Sequence, residues 1–218
     1  MKKLALAAAA SVALVAGGIA AAPTLFAQGA PQTPGAQDPA RVTAGTYALD
    51  AGHTLVDWQV SHFGFNDYIG LFGNITGTLT MDPANIEAAN LTVNVPIAEV
   101  TVASAGLKDH LLRPGKDGGA PDFFGPAPGM ATFTSTKVVR TGATTADITG
   151  TLTMNGKSAP VTLKAEFIGA GDNPFNKKAT VGFHARAVID RTQWGINYAV
   201  PFVGKDVTVT ISAAFEKQ

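Results

Sequence analysis

A chain of 218 residues in which 16 Lys and Arg balance 16 Asp and Glu has no charge excess for a nucleic-acid or polyphosphate partner, and no basic stretch is interleaved with aromatics. With no cysteine the chain can build no disulfide framework, thiolate metal site or cysteine nucleophile, and no lipid anchor through an N-terminal cysteine. Its length suits one sizeable domain and a targeting segment rather than two domains.

Lys2 and Lys3 precede an Ala/Leu/Val-rich run from Leu4 to about Ala22, the pattern of a secretory signal peptide. Residues 1–27 are read as that leader, with Ala20 and Ala27 both fitting a cleavage site. An uncleaved anchor is the alternative, because the run approaches the roughly 20 residues that span a bilayer. Its alanines, with Gly17 and Gly18 among them, make it weakly hydrophobic and favour cleavage. The expected location is the periplasm or the outside of a bacterium. Residues 28–45, rich in Pro, Gly, Ala and Gln, read as a flexible linker, and the folded domain is expected over 46–218.

From Thr46 the pattern is β almost throughout. Tyr47 and Leu49 alternate in a short strand, and Asp50 to Gly52 turn the chain. In Thr54–His62 the residues Val56, Trp58 and Val60 alternate with Asp57, Gln59 and Ser61, so His62 ends an apolar face. Leu71 to Met81 reads as the next strand, with Leu71, Ile75, Leu79 and Met81 on one side, ended by Asp82-Pro83. Ala89, Leu91, Val93 and Val95 form a further face. Ser104 to Leu112 is the one expected helix, with Ser104 as N-cap and Pro114 as stop. Five strands follow within Ala131–Glu216, and Asn155-Gly156 between two of them is a strong hairpin signal. Eight or nine alternating strands joined by short turns point to an antiparallel sandwich or a closed barrel. The run Ile75–Met81 recurs letter for letter as Ile148–Met154, read as two strands of like alternation rather than a functional duplication.

The four histidines, His53, His62, His110 and His184, contain no pair at the spacing of a zinc signature. No Gly-x-Ser-x-Gly elbow is present, and Ser61 would face away from His62. Gly150, Gly156, Lys157 and Ser158 imitate a phosphate loop but have one residue too many and lie between strands. What remains is an apolar interior with a few polar accents. An eight-stranded barrel is just wide enough inside to be filled by side chains or to hold one small elongated ligand.

Three groups of motifs, Tyr47-x-Leu49-Asp50-x-x-His53-Thr54, Val56-x-Trp58-x-Val60-x-His62-x-Gly64 and Gly70-x-Phe72-x-x-Ile75-x-Gly77, resemble the opening of the YceI-like family of bacterial exported polyisoprenoid-binding proteins. His110-Leu111, Asp122-Phe123-Phe124, Thr132-Phe133-x-Ser135, Ile148-x-Gly150-x-Leu152-Thr153-x-x-Gly156, Pro160-Val161 and Arg191-Thr192-x-Trp194-Gly195 continue the resemblance in the family's order. It implies an all-β, extended lipocalin-like antiparallel barrel of about eight strands, with one short helix in the long loop. The implied ligand is a long isoprenoid, of quinone or polyprenyl phosphate type, or a similar long-chain amphiphilic lipid, with no other cofactor. No metal and no catalysis are implied.

The expected tunnel lining is Val56, Trp58, Val60, His62, Ile75, Leu79, Leu91, Val93, Phe133, Ile148, Leu152, Leu163, Phe167 and Phe183. Candidate head-group contacts are His62, His110, Arg191 and Trp194. The chain departs from the family pattern at Arg113–Pro121, which lengthens a loop, and at Gly125, where an acid is usual. A carrier or reservoir role is expected, with a dimer and transient membrane-surface contact left open. The alternatives are an enzyme with His62 or His110 as general base, and a filled barrel serving as a protein-binding module.

Overall fold

The computed structural model describes residues 32–218; the expected leader and the linker as far as Pro31 lie outside them. The strands are β1 (Gly45–Leu49), β2 (Leu55–His62), β3 (Asn66–Phe72), β4 (Thr76–Met81), β5 (Asn90–Pro96), β6 (Met130–Arg140), β7 (Thr145–Met154), β8 (Lys157–Asp172), β9 (Ala179–Asp190) and β10 (Val203–Lys217), with helix α1 (Ala105–Leu112) between β5 and β6. Eight of them close a ring in the order β1-β4-β5-β6-β7-β8-β9-β10 and back to β1. Every neighbouring pair is antiparallel, and closure leaves the ring no free edge.

The β2–β3 hairpin prolongs two staves of this ring. β10 pairs with β1 through Phe215 to Lys217 and with β2 through Val203 to Ser212, so β2 continues the line of β1. Likewise β3 pairs with β2 while β4 pairs with β1. Among the described residues the other edge of β3 is paired only at the Leu71–Thr101 bridge. Helix α1 and the loop after it stand beside the upper part of this hairpin. The Ser104 side chain accepts from Leu107 N–H as the N-cap, and Ser104 N–H donates to the Tyr68 hydroxyl at 3.2 Å.

The alternation that predicts strands is plainest in β8, where Ala159, Val161, Leu163, Ala165 and Phe167 are buried and the residues between them exposed. Asn155 and Gly156 both take positive φ, 51° and 70°, the conformation a two-residue hairpin turn requires. One expectation is corrected: Leu71–Met81 is two strands. Asn74, at φ 51°, breaks the extended chain between β3 and β4 and reverses its parity. Phe72 is therefore buried in place of Leu71, while Leu79 and Met81 keep their inward positions.

The linker expectation also changes from Thr33 onward. Ala36 and Ala170 of β8 exchange two backbone hydrogen bonds, at 3.1 and 2.9 Å, and Gln37 Nε2 donates to the Phe167 carbonyl at 2.8 Å. A short 3₁₀ turn at Pro39–Arg41 follows, with Asp38 as its cap. Contact is this close because Gly171 has no side chain: a Cβ there would lie 2.2 Å from the Pro34 oxygen. A segment too polar to build its own core can still lie on the barrel's.

Candidate ligand-binding tunnel

The barrel is hollow. A lower chamber of about 300 Å³ occupies the closed ring, and an upper chamber of about 410 Å³ lies under the β2–β3 hairpin and α1. Val56, Phe72, Met154, Ile189 and Val209 line both, so the chambers meet at a waist. Each has the size of an ordinary small-molecule site. A filled interior is thereby excluded, and the reason lies in the sequence: Ala131, Ala165, Ala185, Ala187 and Ala213 occupy inward positions of the lower chamber. Side chains large enough to close an eight-stranded barrel are missing there.

The recurring heptapeptide has a structural role at both of its positions. Ile75, Leu79 and Met81 in one copy, and Ile148, Leu152 and Met154 in the other, line the lower chamber. Their glycines allow neighbouring strands to approach: a Cβ on Gly77 would lie 2.5 Å from the Thr92 oxygen, and one on Gly150 2.5 Å from the Thr134 oxygen.

The structure places Val56, Ile75, Leu79, Leu91, Val93, Phe133, Ile148, Leu152, Leu163, Phe167 and Phe183 on the lower chamber's wall. Trp58, Val60 and His62 stand on the upper chamber's wall. Sequence reasoning missed much of the upper wall, notably Tyr68, Leu107, Leu111, Phe123 and Tyr198. The i,i+4 pair Leu107 and Leu111 was a legible signal of an inward helix face. Phe123 and Tyr198 come from irregular loops, where no period marks a side chain as inward.

The four candidate head-group contacts separate. His62 lies at the exposed end of β2, its ring edge-on to Phe63 with centroids 4.6 Å apart. Trp194 lines neither chamber; it is 1% exposed and its indole N–H donates to the Leu152 carbonyl at 3.0 Å. It pins the turn after β9 to β7, which corrects its expected role.

Arg191 lines the upper chamber but is 5% exposed and already engaged. Its Nε donates to Gly204 O at 2.8 Å, Nη1 to Ile196 O at 2.9 Å, and Nη2 to Tyr198 O at 2.9 Å and Val203 O at 3.0 Å. The guanidinium therefore builds the β9–β10 loop, and burial lowers its pKa against the opposing pull of Asp190. Asp190 caps the same turn. Its carboxyl is held down from 3.8 to about 2, first by the Thr192 hydroxyl and then by Lys205.

His110 is half-buried in the upper wall. Its Nε2 lies 2.7 Å from Asp122 Oδ2, and Arg113 Nη2 lies 2.8 Å from both of those atoms. Nε2 either donates to Asp122 or accepts from Arg113, since one ring nitrogen cannot do both. The Arg113 hydrogen bond, followed by that of His110, holds the Asp122 carboxyl below its ordinary range. The ring is set edge-on against Phe123 and Tyr198, at centroid distances of 5.1 and 4.9 Å. The cluster therefore latches the end of α1 to the long loop and the β9–β10 loop above the chamber. Arg113, in the stretch that departs from the family pattern, is part of this latch.

The described residues thus form a closed antiparallel barrel around two adjoining apolar chambers. The model of the YceI-like domain matches residues 47–215, and the chain belongs to that family. A UPF0312 protein of Pseudomonas fluorescens (strain SBW25) is 34% identical over 159 residues, 72% of this chain and 79% of the relative. Protein YceI of Escherichia coli O157:H7 is 34% identical over 172 residues, 78% and 85% of the two chains. Among solved structures, Burkholderia cenocepacia BcnA superposes with a TM-score of 0.60 at 20% identity, covering 76% of this chain and 98% of that one. A polyisoprenoid binding domain from Saccharophagus degradans superposes with a TM-score of 0.51 at 13% identity, covering 79% and 98%. At these identities the two structures share the fold.

Proposed function

We propose that this chain is an exported carrier or reservoir for an isoprenoid or similar long-chain lipid, acting in the periplasm or outside the cell. The observation that carries the reading is the pair of adjoining apolar chambers inside the barrel, which share Val56, Phe72, Met154, Ile189 and Val209 as lining. The structural likeness to a polyisoprenoid binding domain supports the same ligand class. Each buried CH₂ contributes about 0.8 kcal/mol, so a five-carbon isoprene unit offers roughly 3 to 4 kcal/mol gross. A few units suffice for affinity, and further length serves selectivity.

Ligand exchange with a membrane is part of this proposal. Phe65 is 90% exposed at the β2–β3 turn and Phe202 64% exposed in the β9–β10 loop. Phe63 stacks on Phe202 with centroids 5.9 Å apart. Exposed aromatic side chains on these two loops suit the interface of a bilayer.

Mass spectrometry of organic extracts from protein purified from its native host tests the carrier reading, with a bound isoprenoid lipid expected. A reproducibly empty protein that also fails to take up prenylated quinones and polyprenyl phosphates overturns it. The contact between His110 and Asp122 favours a second reading, an enzyme acting on the enclosed lipid. Turnover that His110→Ala abolishes while uptake persists would establish that reading instead.

A further inference from the structure

At the lower end of the ring β8 outruns its neighbour β7. Their ladder ends at Thr145 and Glu166, while β8 continues to Asp172. Beyond that point β9 holds one edge of β8, and Ala36 meets the other, paired with Ala170. From there the chain leads to β1, which follows β9 and β10 in the ring. On the way Pro39 and Val42 line the lower chamber, and Val42 is buried in the core. The segment therefore crosses the end of the ring instead of skirting it.

This strap, Thr33–Val42, is held on both sides. On β8 the Ala36 pair is joined by the Gln37 side chain. Next to β1 the Tyr47 hydroxyl donates to the Thr43 carbonyl, and Lys217 Nζ to Thr43 Oγ1 at 2.9 Å. Two glycines of β8 make room for it. The three atoms nearest to a Cβ on Gly169 all belong to Ala36, at 3.3 to 3.4 Å, and those nearest to one on Gly171 belong to Pro34 and Gly35, at 2.2 to 3.3 Å. The matched family domain begins only at Tyr47, so the strap lies outside it.

The strap turns an apolar surface without a spare donor to the chamber. Pro39 has no N–H, and that of Val42 donates to the Pro39 carbonyl at 3.1 Å. Arg140, the one charged residue of the lining, has Nε and Nη2 on the carbonyls of Gly142 and Ala143 in its own turn. A hydroxyl pressed against Pro39 and Val42 would leave water without gaining a partner, which costs about tenfold or more in affinity.

We propose that Thr33–Val42 bars the lower end of the barrel and thereby fixes the class of ligand: an amphiphile with a polar group at one end only, whose free apolar end rests against Pro39 and Val42. This rests on the carrier reading, and makes a segment in front of the family's domain a determinant of specificity.

The test compares a long-chain primary alcohol with the α,ω-diol of the same length, over a series of lengths. The protein is the delipidated exported chain, which keeps the strap whether Ala20 or Ala27 marks the cleavage. Affinities are read by displacement of a fluorescent apolar dye. The wild type is expected to bind the alcohol at least about tenfold more tightly than the diol. Gly171→Ala adds a methyl whose nearest clashes are with the strap alone, and so should unseat it. The gap between alcohol and diol should then close at the lengths that reach past the lower end, where the second hydroxyl regains water, with the alcohol's own affinity kept for shorter chains.

Ala36→Pro removes the N–H that Ala36 donates to Ala170 and should have the same effect; it keeps the test decisive if Gly171→Ala does not fold. A gap that survives both substitutions, or a wild type that takes the diol as tightly as the alcohol, overturns the strap's role and leaves the carrier reading standing. A wild type that binds neither compound at any length overturns both.

Discussion

Gly70 faces Trp58 across the β2–β3 hairpin, and the indole occupies the space that a side chain on Gly70 would fill: a Cβ there would lie 2.2 Å from Trp58 Cζ2. A clash at this distance must be relieved by moving the indole or the strand. Gly70→Ala is expected to destabilise the protein by about 1 to 3 kcal/mol, the range for an overpacked site. Urea unfolding followed by tryptophan fluorescence checks this, and an unchanged midpoint would mean that the indole is loosely held.

Ala187 lies opposite Val209 in the β9–β10 ladder, and Val209 belongs to the waist between the chambers. Ala187→Phe should narrow the passage there. Ligands of one or two isoprene units are expected to bind as before, because they fit above the waist. Longer tails should lose at least tenfold in affinity, since each CH₂ kept out of the lower chamber forfeits about 0.8 kcal/mol. A chain-length series by isothermal titration separates the two cases; equal losses at all lengths would argue against a tail threading the waist.

Arg191 holds four carbonyls of the β9–β10 region from a nearly dry position. Lysine keeps the charge but lacks the planar fork. Arg191→Lys should leave buried carbonyls unmet and cost about 3 kcal/mol or more. Chemical denaturation gives that number directly. A near-neutral result would show that the loop finds other donors.

Asp190 has its carboxyl lowered from 3.8 to about 2, so its charged form favours the folded state. The contribution is complete above the ordinary carboxylate range and is lost as the pH falls towards about 2. Asp190→Asn is therefore expected to be less stable than the wild type near neutrality, with the gap closing in acid. Thermal midpoints of both proteins at neutral pH, at about pH 4 and at about pH 2 check the sign; a gap that widens in acid contradicts it.

The exposed rim offers a separation of stability from exchange. Phe65→Ser removes a side chain that is 90% exposed, so folding stability should change by no more than about 0.5 kcal/mol. Combined with Phe202→Ser, it should reduce co-sedimentation with lipid vesicles and slow ligand transfer from them, with affinity for ligand added in solution retained. Undiminished vesicle binding by the double variant would exclude the rim as the contact.

Much of the barrel was legible because a strand writes its orientation into every second residue. The faces of β2, β5 and β8 could be read directly, and with them Val56, Trp58, Val60, Leu91, Val93, Leu163 and Phe167 as inward. Asn155-Gly156 and the Ser104 cap were equally local, since a left-handed turn and an uncapped helix end each constrain residues within a few positions.

The rest depended on contacts between residues far apart in the chain. Closure follows from β1 pairing with both β4 and β10, and that register is a long-range property. Whether the interior is hollow was settled by alanines brought together from β6, β8, β9 and β10, each unremarkable in its own strand. Trp194 looked like a site residue until its N–H was placed on the Leu152 carbonyl of β7, and Arg191 until its N–H groups were placed on carbonyls of its own loop and the start of β10. His110 lacked a partner by spacing, and the loop then set Asp122 beside it at 2.7 Å. By itself the sequence determined which side chains face inward, through the two-residue period of an extended chain; only the tertiary structure decided which polar groups the protein satisfies for itself, as it does those of Arg191 and Trp194, because that depends on what packing brings within hydrogen-bond distance.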